Sequence, residues 1–144
     1  GHTYMGHPTA CAGSLAVQRK VKDQNLLANV RERGEQLVTK LSERFGNHPH
    51  IGDIRGRGLF QGIEFVADRA SKKAFNPAKK LHAKIKAAAM RQGLICYPGG
   101  GTVDGVEGDH VLLAPPFIIT VDELDELVEK LGKAVDAALA EVNE

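Results

Sequence analysis

The eight residues GHTYMGHP at the head of the chain carry its clearest anion-binding chemistry. Hydroxyls at Thr3 and Tyr4, with backbone N–H groups around His2 and Thr3, stand just ahead of a segment that Pro8 opens as a helix. A helix N-terminus attracts phosphate through its unpaired N–H groups and its dipole, although a hydroxyl there also serves as an ordinary helix cap. The other tempting residues lack the spacing their chemistry needs. His2, His7, His48, His50 and His110 form no HExxH or paired Cys/His pattern, so no metal is expected. Ser14, Ser42 and Ser71 have no GxSxG context for a nucleophile. GRGLFQG is spaced wrongly for a dinucleotide loop and runs into a strand, so its glycines read as close strand packing. Asp53, Glu64 and Asp109 form no evident acid–base pair by spacing.

These residues must be positioned by elements that hydrophobic periodicity and breakers delimit. Small and apolar residues from Pro8 to about Val21 predict a close-packing helix. After Asp23, where a hinge is conceivable, Leu26, Leu27, Val30, Leu37, Val38, Leu41 and Phe45 recur every three or four positions until Gly46 and Pro49. That spacing predicts a long amphipathic helix. IGDIRGRGLFQGIEFV predicts two short strands or one bent strand, with Leu59, Gln61, Ile63 and Phe65 sharing a face. Asn76 caps and Pro77 opens a helix running to Gly93, LICY reads as a strand, and PGGGTVDGVEGD as a glycine-rich loop. HVLLAPP is a further strand. Thr120 and Glu123 form a capping box for a last helix whose stripe is Leu124, Leu127, Val128, Leu131, Val135, Leu139 and Val142. Mixed elements of this kind predict a small α/β sandwich with a short, mainly antiparallel sheet covered by helices.

Composition narrows the classes further. The 144 residues, 42% hydrophobic and 26% charged, suit a soluble globular domain. Nineteen basic residues against eighteen acidic ones, interspersed, offer no face for nucleic acid. The longest apolar runs are too short for a membrane span, and no leader is recognisable, so a cytoplasmic protein is expected. Cys11 and Cys96 stand apart without CxxC spacing, in keeping with reduced thiols.

Three motifs carry a family resemblance. GHTYMGHPTACAGSLAV resembles the segment that follows the catalytic lysine in class III (omega-amino-acid type) pyridoxal-5'-phosphate aminotransferases. IRGRGLFQGIEFV resembles that family's R-G-x-G-L-x-x-G-I-E strand pair, and GDHVLLAPPFIITVDELDELVEKL its closing A-P-P strand and C-terminal helix. The motifs stand in register over nearly all of the chain. The resemblance implies the C-terminal portion of a fold-type I enzyme, α/β (α+β) in class, with residues 1–23 the tail of the large cofactor domain. Residues 24–144 would then be the connecting helix and small domain. It implies pyridoxal phosphate as cofactor, amine and keto-acid substrates, and a homodimer in which Thr3, with His2 beside it, reaches the phosphate of the partner's cofactor.

The same resemblance puts the family's Schiff-base lysine and pyridine-binding aspartate upstream of Gly1. No residue of this chain is therefore expected to be catalytic, and the isolated chain is expected to be inactive. Two positions at which relatives carry an arginine for the substrate carboxylate fall on Tyr97 and Leu112, leaving Tyr97 as the candidate substrate contact. Arg55 and Arg57 are candidates for that carboxylate, although strand-end arginines more often pair with structural carboxylates. The insert from Pro98 to Gly108 reads equally as a pocket wall and as a plain surface loop. An aminomutase or decarboxylase of the same fold, or a non-catalytic assembly module, are the other readings.

Overall fold

The computed structural model describes residues 3–143, of which Asn143 is described in its backbone alone. Helix α1 (Pro8–Asp23) begins on its proline, whose missing N–H has no helical partner to lose. A left-handed Asn25, at φ 50°, separates α1 from α2 (Leu26–Phe45). Leu37, Leu41 and Phe45 of α2 are fully buried, whereas α1 buries none of its residues.

Two strands follow, β1 (Ile51–Arg57) and β2 (Phe60–Phe65), joined by a tight turn at Gly58 and Leu59. Their register slips by one residue at Gly52, a bulge that turns Asp53 and Arg55 to one face and Ile54 to the other. Leu59, Gln61, Ile63 and Phe65 are all buried, as their alternation requires. Asn76 does accept a capping bond from the Ala78 N–H, but the helix it caps is a single 3-10 turn, Pro77–Lys79. A left-handed Lys80 then restarts the chain as α3 (Leu81–Arg91), so the one continuous helix expected from Pro77 is two.

The LIC segment is not a strand. Strand β3 is Tyr97–Gly100, later than the hydrophobic run suggests, because its partner is β4 (Asp109–Leu113) and the hairpin closes over Thr102 to Gly108. Pro98 is tolerated because β3 lies at the sheet edge. The sheet order is β1-β2-β4-β3, with every pairing antiparallel. Helix α4 (Val121–Asn143) starts at the expected capping box, where Glu123 accepts from the Thr120 N–H at 2.8 Å and Thr120 accepts from the Glu123 N–H at 3.3 Å.

Helix α4 packs between α2 and α3, and the three cover one face of the sheet. Ile63, Phe65, Val111 and Leu113 meet Leu41, Phe45, Leu81, Ile85, Leu124 and Leu131 in a single core. Among the described residues, no helix covers the opposite sheet face. No helix is long and apolar enough to cross a membrane among the described residues.

Candidate functional site

Register decides what the open face presents. One cross-strand row reads Asp53, Glu64, His110, Gly99, and the next reads Arg55, Gly62, Leu112, Tyr97. Side chains two apart on a strand share a face, so these eight residues form one surface. Gly62 leaves the middle of the second row empty. The result is a cleft of about 310 Å³ lined by Arg55, Phe60, Gly62, Glu64, Thr102, His110 and Leu112. Tyr97 stands at its edge, 70% exposed and directly opposite Leu112.

The charges in the cleft are already spoken for. The Arg55 guanidinium donates to Glu64 and to Asp53, each at 2.8 Å. Those two hydrogen bonds, Glu64's first, hold its pKa above the ordinary guanidinium value. Arg55 is therefore a paired arginine, as its place on a strand suggested, and Arg57 stays exposed at the strand end. The three carboxylates that spacing left unconnected each have a cationic or imidazole partner. Asp53 and Glu64 share Arg55, and Asp109 binds His82.

The glycine-rich insert folds as a hairpin, of which Thr102 alone lines the cleft. Gly101 donates to the Gly108 carbonyl at 2.8 Å and Val103 to that of Glu107 at 2.9 Å. The Asp104 carboxylate accepts the N–H groups of Glu107 and Val106, at 2.7 and 2.9 Å, and these bonds hold its pKa below the ordinary aspartate value. The hairpin brings the Thr102 hydroxyl within 2.6 Å of His110 Nδ1, at the end of the cleft. Spacing does not single out Thr102, and it weighs His110 only as a metal ligand. The signal available in sequence was the GDH triplet closing a glycine run, which sets His110 and Asp109 on opposite faces of one strand.

Thr3 lies elsewhere in the chain's architecture, in the exposed turn before α1. The His7 N–H closes this turn on the Tyr4 carbonyl at 3.2 Å, with Gly6 at φ 77°. His7 occupies the cap position of α1 without any side-chain cap bond, so the first-turn N–H groups of the helix lack the usual capping acceptor. The Thr3 hydroxyl is exposed and the N–H groups that open α1 lack a side-chain acceptor, donor chemistry that suits a phosphate dianion. His2 lies outside the described residues. Neither Thr3 nor Tyr97 is among the residues that line the cleft.

Comparison with known proteins bears on this geometry. The family described as "Aminotransferase class-III" matches residues 1–135. An uncharacterized aminotransferase of Schizosaccharomyces pombe is 47% identical over 96% of this chain, which covers 30% of that protein. The diaminobutyrate–2-oxoglutarate transaminase of Halomonas elongata is 34% identical over 94% of this chain and 28% of its own length. Among solved structures, a PLP-bound aminotransferase mutant from Vibrio fluvialis superposes with a TM-score of 0.84 at 36% identity. That match covers 95% of this chain and 28% of the Vibrio chain. The chain thus spans about 30% of the length of the curated relatives it matches.

Proposed function

The chain belongs to the class III aminotransferases, and on that premise we propose that the complete protein transfers an amino group between an amine or omega-amino acid and a keto acid, using pyridoxal phosphate. The observation that carries this reading is the match, at 47% identity over 96% of the chain, to an aminotransferase. When bound, pyridoxal phosphate supplies the carbonyl that takes up the amino group and the ring that draws electrons from the substrate carbon.

This chain's own residues then act by binding and shaping. Residues 1–23 serve as the tail of the cofactor domain, and residues 24–144 as connecting helix and small domain, a division supported by the left-handed break at Asn25 and by the exposure of α1. Thr3, with His2 beside it, donates hydrogen bonds to the phosphate of the cofactor held by a second subunit. A charge-assisted bond of this kind contributes about 1.5–3 kcal/mol. Tyr97, with Leu112 opposite, borders the distal end of the substrate. The cleft on the open sheet face, walled by the Thr102–Gly108 hairpin, sets which distal groups enter.

The test is Thr3→Ala in the full-length protein. The expected result is pyridoxal phosphate affinity weakened about tenfold or more, read by titration of its visible absorbance. Unchanged affinity would overturn the role given to Thr3. Absence of amino transfer in the unaltered full-length protein would overturn the reading as a whole.

A further inference from the structure

Beyond Tyr97, strand β3 is made of residues that form poor strands. Pro98 has no N–H to donate, and Gly99 and Gly100 bring no side chain to pack. What stands against these glycines is a pair of imidazoles. A Cβ on Gly99 would come within 2.7 Å of His110 Cε1, and one on Gly100 within 2.6 Å of His82 Cε1. Because adjacent residues of a strand face opposite ways, the two rings grip β3 from its two sides.

Each ring is itself tied down. His110 is bonded to Thr102 at the head of the hairpin. His82, in the first turn of α3, gives both its backbone N–H and its ring Nδ1 to Asp109 Oδ1, at 2.9 and 2.6 Å. Asp109 is 4% exposed and is the cross-strand partner of Gly100. One buried carboxylate therefore joins the start of α3 to the base of the hairpin, at the strand that carries Tyr97. His82 does not line the cleft.

We propose that His82 and Asp109 are positioning residues for the substrate cleft: by clamping Gly100 between α3 and β4 they fix the wall made by Tyr97, Thr102 and His110. The proposal rests on the transaminase reading given above. A long amine donor reaches this wall and a short one does not, so loss of the clamp penalises the two unequally. A purely structural role would affect both donors alike through the amount of folded enzyme.

The experiment uses the full-length protein with His82→Ala and His82→Asn, since asparagine keeps a short N–H donor for the Asp109 carboxylate. Initial rates are measured with a long donor, a phenylalkylamine, and a short one, isopropylamine. His82→Ala is expected to raise KM for the long donor about tenfold while leaving that for the short donor within about twofold, and His82→Asn to restore most of the loss. Hydrogen exchange of the peptide spanning residues 97–110 should quicken in His82→Ala, with residues 51–65 unchanged. Equal effects on the two donors, or unchanged exchange at 97–110, would overturn the proposal. If the unaltered protein transfers no amino group, the transaminase reading fails and this proposal with it, a result visible before any variant is made.

Discussion

Tyr97 on β3 and Leu112 on β4 are direct cross-strand partners, and Gly62 and Arg55 extend the same row across the sheet. The two positions that the family resemblance marks for a carboxylate-binding arginine therefore stand side by side on one sheet face. In this chain they carry a phenol, 70% exposed, and an isobutyl group. The neighbouring Arg55 guanidinium is engaged by Asp53 and Glu64, both at 2.8 Å. A distal carboxylate is expected to gain little here, because recognising it requires a cation whose hydrogen bonds are not already committed.

The cleft should accordingly favour donors with a neutral distal group, and the preference should respond to one substitution. Tyr97→Arg in the full-length protein is expected to raise kcat/KM for an omega-amino acid about tenfold, in line with one new charge-assisted contact. The same change should leave an apolar amine unchanged or poorer. Steady-state kinetics with a matched donor pair checks this, and the absence of any gain for the omega-amino acid would refute it.

Gly34 on α2 meets the β1–β2 turn at Gly58, where backbone touches backbone. A Cβ added at Gly34 would lie 2.7 Å from the Gly58 Cα and carbonyl carbon, a gap that no rotamer change can open. Helix and hairpin would have to separate, exposing part of the contact between α2 and the sheet. Gly34→Ala should therefore destabilise the protein by about 1–3 kcal/mol despite alanine's better helix propensity. Urea denaturation of the two proteins measures the difference, and an equal or higher midpoint for the variant would show that the turn yields without cost.

Much of this architecture was written in local pattern. The alternation through Leu59, Gln61, Ile63 and Phe65 marked the core face of β2, and the stripe from Leu124 to Val142 marked that of α4. Four features escaped for physical reasons. The break at Lys80 is a left-handed residue with no glycine to announce it. Strand β3 occupies a proline–glycine stretch of low strand propensity, stabilised by rings from His82 and His110 that lie far off in sequence or on another strand. The His82–Asp109 bond joins residues 27 positions apart, and no spacing rule reaches that far. The cleft is in the same position, since Gly62 becomes its floor only once Arg55, Leu112 and Tyr97 are aligned in register.

The capping box that opens α4 offers a direct check on a feature the sequence announced. The Glu123 carboxylate accepts from both the backbone N–H and the hydroxyl of Thr120, and these bonds hold its pKa below the ordinary glutamate value. Thr120→Ala removes the hydroxyl that caps the helix and is expected to cost about 1 kcal/mol. Thermal denaturation should show a modest fall in midpoint, with Thr120→Ser close to the parent. A Thr120→Ser variant as unstable as Thr120→Ala would rule out the hydroxyl as the cause.

His48, in the turn between α2 and β1, should make stability depend on pH. Its Nδ1 accepts the backbone N–H of His50 at 3.1 Å, while Arg69 donates to the carbonyls of Gly46 and His48 in the same turn. Burial, followed by the neighbouring His50 and then Arg44, lowers the His48 pKa from the ordinary imidazole value, and Asp136 on α4 opposes the shift. The folded protein thus binds a proton at His48 less readily than the unfolded chain does. Stability from this group is complete above the unfolded value, about 6.5, and is lost as pH falls from there through the lower folded value. A proton on Nδ1 also removes the acceptor for the His50 N–H. Urea midpoints measured between about pH 7.5 and 5 should fall in the parent and fall less in His48→Asn, whose side chain can accept the same bond without titrating. Parallel pH profiles for the two proteins would show that His48 takes no part in the loss.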